Sequence, residues 1–244
     1  MINLKKGVKY MLRDKLKSEE YFINFIYSQE TDINDYSAML MNGDVREKQI
    51  PFVKESRWRC QFHKLIAEYS LGVPINELKT DFQGLIKQSN ECTYWLKGYF
   101  KPISIISLGI LLNDAQSLSF IKERFQQTGE KKWLFDFLLN YGEKPNYLPT
   151  EGPLRRLKFY LKLCDALKND KDATSAISDY LSDWYRCQSY EYWYGDDKSE
   201  SDTYFGYWSF EAGALAAILG VDPERLKDKK YFPKDLVDYY NQNK

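Results

Sequence analysis

Apolar residues recur in this chain at spacings of three and four over most of its length, and strand-like alternation closed by hairpin turns is nearly absent. That periodicity constrains the fold to helices. Trp58, Phe62, Leu65, Ile66 and Tyr69 fall at i, i+4, i+7, i+8 and i+11, one face of a helix that Gly72 and Pro74 stop. Asn76 is expected to cap the next, which turns Leu78, Phe82, Leu85 and Ile86 inward. Pro102 to Asn113 is uncharged, so it is expected to be a helix with neighbours on most sides. Asp114 caps a helix carrying Leu118, Ile121 and Phe125, and Glu130 to Tyr141 forms another. Gly142 to Pro153 is rich in Pro and Gly and reads as a loop. Helices follow over Leu154 to Leu167 and Ala173 to Gln188, with a turn at Asn169 or Asp170.

The expected fold is therefore all-α, a multi-helix array of stacked antiparallel helices with little or no β-structure. Its expected organisation is an N-terminal helical region over 1–130 and a C-terminal one over 131–244, packed as one compact unit. A chain of 244 residues buries enough apolar surface to fold without staples. Cys60, Cys92, Cys164 and Cys187 form no CxxC pair and no Cys/His cluster, so they are read as reduced, mostly buried thiols. No secretory signal is read at the N-terminus, and the uncharged run from Pro102 to Asn113 is too short to span a bilayer. A cytoplasmic protein is expected.

Few enzyme classes fit. His63 is the single histidine, on an amphipathic helix without a Cys, Ser or Asp pattern that would make it a base. Neither GxGxxG nor GxxxxGK[ST] occurs. The surviving enzymatic alternative is a carboxylate-dependent hydrolase using Asp196, Asp197, Asp202 and Glu211, which lie among Tyr and Trp residues. Basic residues gather weakly at Lys5, Lys6, Lys9, Arg13, Lys15 and Lys17 and at Arg155, Arg156, Lys158 and Lys162, without a nucleic-acid-binding motif. No direct nucleic-acid binding, no membrane partner and no cofactor or metal is expected.

Charge is distributed unevenly. The chain is neutral overall, yet Asp165 to Asp222 holds twelve acidic residues against four basic ones, a net −8. Within it, Asp196, Asp197, Glu200 and Asp202 form an acidic loop beside the aromatic run Tyr190 to Tyr194. An acidic field edged by rings suits the docking of a basic protein. Asp183, Tyr190, Glu191, Trp193, Tyr194, Asp196, Asp197, Glu200 and Asp202 are therefore the candidate interface, with Trp193 as an anchor whose loss speeds dissociation. A helical scaffold or interaction module is the non-enzymatic alternative, and a homodimer is compatible with either.

Tyr204 to Asp222, YFGYWSFEAGALAAILGVD, runs from an aromatic cluster into a small-residue helix that Gly220 ends; Asp222-Pro223 opens the next turn. Trp208 is expected at the start of that helix and in the core, while Glu211 lies in its apolar run and needs buried donors, Tyr207 or Trp208 among them. With YFPKDLV (Tyr231 to Val237), YLSDWY (Tyr180 to Tyr185), YWYG (Tyr192 to Gly195), LRDKLKSEEYF (Leu12 to Phe22) and YSLGVPINELKTDF (Tyr69 to Phe82), this run resembles the PoNi immunity proteins. Tyr204, Tyr207, Trp208, Glu211, Gly220 and Asp222 carry the most specific part of the likeness. The resemblance implies an all-helical, non-enzymatic protein that binds and neutralises a co-encoded PoNe-type DNase toxin with a basic surface, protecting the producing cell and its kin. Pro223 and Lys234 depart from the family pattern at the edge of the motif, which leaves the fold untouched and bears on which toxin is cognate.

Overall fold

The computed structural model describes residues 10–147, 158–168 and 172–244. Lys5, Lys6 and Lys9, the loop beyond residue 147, Leu154 to Leu157 and the turn at Asn169 and Asp170 lie outside these, as does the side chain of Lys158. Among the described residues there are ten α-helices and short 3-10 turns, with no strand. The chain divides into two compact units, Met1–Lys97 with Gly195–Tyr207, and Gly98–Tyr194 with Trp208–Lys244.

The first unit holds α1 (Glu19–Asn42), α2 (Ile50–Leu71) and α3 (Ile75–Gln88), with α2 packed against both others. Ser18 caps α1 by accepting the Tyr21 amide at 3.1 Å, and left-handed Gly43 ends it. The helix that carries Trp58, Phe62, Leu65, Ile66 and Tyr69 begins at Ile50, and all five are buried. Gly72 ends α2 at φ 104°, where a Cβ would sit 2.3 Å from the Met11 carbonyl oxygen. No other residue tolerates both conditions. Arg13 donates to the Tyr69 and Val73 carbonyls, each at 3.0 Å, and so closes the same helix end. Asn76 falls in the first turn of α3, whose cap position is Pro74; the proline's fixed φ suits the entry to a helix.

Helix α2 is the middle layer of this unit and is buried on more than its apolar face. Lys64 lies under α1 and α3, contacting Glu68 on its own helix, Asp81 at 2.9 Å and Glu30 at 3.6 Å. Glu68 is fully buried. Burial pushes its carboxyl up to about 8 against the pull of Lys64.

The second unit is built on α4 (Phe100–Leu111), buried along nearly its whole length as its uncharged composition requires. Around it stand α5 (Ala115–Thr128), α6 (Trp133–Leu139), α9 (Phe210–Ile218) and α10 (Lys234–Asn243). Asp114 caps α5 through the Ser117 amide at 3.1 Å. The small residues of α9 permit a close approach: a Cβ on Gly213 would lie 2.6 Å from Pro233 and 3.3 Å from Leu111. Gly220, at φ 66°, ends α9, and the Val221 amide turns back to the Ala216 carbonyl at 2.9 Å. Helices α7 (Lys158–Lys168) and α8 (Ala173–Cys187) pack together, and α8 also packs on α9.

Candidate functional site

In the first unit, Gly195 to Thr203 forms the acidic loop. Gly195 enters it at φ 90° and Asp196–Lys198 makes a single 3-10 turn. Asp197 is fastened at both its backbone and its carboxylate: its amide donates to the Tyr207 hydroxyl at 3.1 Å, and that hydroxyl donates to Oδ1 at 3.2 Å. Asp196 is part-buried, so its carboxyl is pushed up by desolvation and by Asp197 while a bond from Thr203 opposes the shift. Glu200 and Asp202 are exposed. Of the loop's four carboxylates, all expected to meet a partner, two therefore hold the loop's shape and two face solvent.

The chain after the loop is clamped. The Tyr21 hydroxyl accepts the Tyr204 amide and donates to the Tyr204 carbonyl, each at 3.0 Å. The buried Tyr204 hydroxyl donates to Asp14 Oδ2 at 2.5 Å, and the Leu16 amide holds the other Asp14 oxygen at 2.7 Å. Ser70 donates to the Phe205 carbonyl at 3.2 Å, and the Phe205 ring stacks on His63 at 4.2 Å and 9°. That stacking gives the single histidine a packing role. Burial first, and then Asp14, holds the Tyr204 phenol far above its ordinary range, so it remains a donor. Tyr204→Phe should cost about 1.5–3 kcal/mol, the worth of a buried bond to a charged acceptor. Chemical denaturation at pH 7 measures this, and an unchanged midpoint would remove Asp14 from the clamp.

In the second unit, Asp183 pairs with Arg186 at 2.7 Å in solvent, Tyr190 and Glu191 are part-buried, and Tyr194 stacks on Tyr185 at 4.5 Å and 20°. Trp193, expected as a surface anchor, is 1% exposed. Its ring lies between Trp184 at 5.6 Å and Phe100 at 4.9 Å. The rings that do reach solvent on this stretch are Tyr192 at 49% and Tyr194 at 39%. The stretch runs through successive turns, the Glu191 amide bonding the Gln188 carbonyl at 2.8 Å and the Tyr194 amide the Glu191 carbonyl at 3.1 Å, and no sequence period marks which ring turns inward.

Glu211 is 1% exposed. Its Oε1 accepts the Tyr180 hydroxyl and the Trp184 indole N–H, both at 2.7 Å. The donors are aromatic, as expected, but come from α8 and not from Tyr207 or Trp208. Burial raises the carboxyl's pKa, opposed by Tyr180, Ser209 and Trp184. Trp208 lies before α9 and is half-buried, since the helix begins at Phe210, so the expectation of a core ring there is corrected. Asp222 caps the next turn by accepting the Glu224 amide at 3.0 Å. The Ser209 amide bonds to the Tyr231 carbonyl at 2.9 Å, which ties YFPKDLV to the start of α9. Among the described residues, no group of three or more His, Cys, Asp or Glu side chains is placed to hold a metal.

A family model described as PoNe immunity protein (PoNi), N-terminal, matches residues 13–121, and one described as PoNe immunity proteins (PoNi), C-terminal, matches residues 130–236. Among solved structures, protein PA2201 from Pseudomonas aeruginosa is similar in fold, with a TM-score of 0.61 over 95% of this chain and 99% of that one at 15% identity. No curated protein matches by sequence.

Proposed function

This chain belongs to the PoNe immunity protein (PoNi) family, and we propose that it neutralises its cognate PoNe toxin by presenting the Gly195 to Thr203 loop to a basic surface of that toxin. Immunity is exerted without catalysis, by inhibition of the toxin. The resemblance makes the toxin a DNase, and an enzyme that holds a phosphodiester backbone carries Lys and Arg where the substrate lies. Carboxylates of the inhibitor compete for those cations. The observation that carries the reading is the clamp: Tyr207 fastens Asp197 within the loop, and Tyr21 and Asp14 fasten Tyr204 directly after it, so less entropy is lost when the loop docks.

The reading assigns Glu200 and Asp202 to electrostatic steering and Tyr192 and Tyr194 to partner contact. It places the protein in the bacterial cytoplasm, in keeping with four free thiols. No described helix is long and apolar enough to cross a membrane.

Glu200→Lys/Asp202→Lys should lower the association rate with the toxin about tenfold at low salt and reduce its salt dependence, with little change in dissociation. Stopped-flow binding to a catalytically inactive toxin measures both rates, and colony counts of cells expressing the active toxin report protection. An unchanged association rate in a variant that melts like the parent would move the interface off this loop.

A further inference from the structure

Helices α7 and α8 leave a cleft of about 500 Å3 along one side of the second unit. Its floor is aromatic and apolar. Phe159 and Tyr180 stack there at 4.3 Å and 14°, beside Leu163. Its rim is acidic, with Asp165 from α7 and Asp179 and Asp183 from α8; the last two are four residues apart and so lie on one helical face. The Tyr180 hydroxyl is tied to Glu211, which fixes the floor from behind.

An apolar, ring-lined floor below carboxylates is complementary to an amphipathic cation. The methylene stem of Arg or Lys covers the rings while its charged head reaches the rim. Two cations already lie near. Lys162 lines the cleft, and Arg186 pairs with Asp183 in an exposed bridge at 2.7 Å. Because a surface bridge contributes little, exchanging Arg186 for an incoming guanidinium is cheap.

We propose that this cleft is a second docking site for the PoNe toxin and receives an arginine or lysine side chain from the toxin's surface. The proposal rests on the reading that neutralisation works by direct binding to a basic toxin surface. It adds residues outside the acidic loop: Asp165, Asp179, Phe159 and Tyr180. Steering by Glu200 and Asp202 would set the encounter rate, and seating of the cation would set the residence time.

The test compares the full chain, the loop variant Glu200→Lys/Asp202→Lys and the cleft variants Asp179→Lys/Asp183→Lys and Asp179→Asn/Asp183→Asn, each binding the inactive toxin. The reversal should raise Kd about 30-fold, mostly through faster dissociation, and the neutral pair should raise it about fivefold. The Asn pair preserves side-chain size, so it keeps the comparison valid if the reversal fails to fold. Kd values within twofold of the parent for both cleft variants, while the parent binds, would overturn the cleft and leave the loop standing. Loss in the cleft variants with none in the loop variant would do the reverse. Failure of the parent to bind its co-encoded toxin would overturn both. A change confined to self-association in sedimentation would make the cleft a contact between copies of this chain and sink the toxin proposal.

Discussion

Trp193→Ala should lower the stability of the chain by about 3–5 kcal/mol, the usual cost of deleting a large buried ring and leaving its cavity. The indole lies between Trp184 and Phe100, so its loss strips packing from both α8 and α4. Trp184 in turn donates to Glu211 at 2.7 Å, and a slackened Trp184 would leave that buried oxygen less well held. Urea denaturation should show a lower midpoint with an unchanged slope. Tyr194→Ala is the matching surface control: the ring is 39% exposed, and its deletion should leave the midpoint nearly unmoved while it weakens toxin binding. If Trp193→Ala melted like the parent and instead dissociated faster from the toxin, the ring would be an anchor after all and its burial would not describe the molecule in solution.

The contrast between Trp193 and Tyr194 marks the limit of what the chain discloses by inspection. Periodicity of three and four located α2, α3, α5 and α8 because a helix with one apolar face leaves that signature in order. Tyr192 to Tyr194 lies in turns with neither a helical nor a strand period, so an aromatic run beside carboxylates reads as surface although Trp193 is packed in the core. Longer-range partnerships leave no local trace. Asp14 and Tyr204 are 190 residues apart and meet at 2.5 Å, although both belong to stretches that resemble the same family. The same holds for Glu211 with Tyr180 and Trp184, where the need for donors was legible and their identity was not. Similarity marked these residues as important. Their geometry assigns Asp14, Tyr204, Glu211, Tyr180 and Trp184 to shape, while Tyr192, Tyr194, Asp183 and Asp222 from the same stretches reach solvent.

Lys64 was illegible for a different reason: Lys64 and Glu68 are four residues apart on a helix, the pattern of an exposed ion pair, yet Glu68 is fully buried. Lys64→Met should therefore cost on the order of 3–5 kcal/mol at neutral pH, because it leaves the carboxylates of Asp81 and Glu30 without their shared cation and the buried Glu68 carboxyl without its ammonium partner. Burial would lower the Lys64 pKa, but Glu68 and Asp81 outweigh it and hold the ammonium above its ordinary range. Glu68 is shifted in the same direction, and its linkage falls in the accessible pH range. Its folded pKa of about 8 exceeds its ordinary 4.5, so the stability it contributes is full below about pH 4.5 and is lost as pH rises through 8. Glu68→Gln should flatten the fall in stability between pH 5 and 8 relative to the parent. In Lys64→Met the pull that holds Glu68 down is gone, so the carboxyl stays protonated to higher pH and the penalty should shrink on acidification. Paired denaturation curves at pH 5 and pH 8 read both effects. A Lys64→Met penalty that is small and independent of pH would mean that the three carboxylates are solvated and that α2 is not the buried middle layer of its unit.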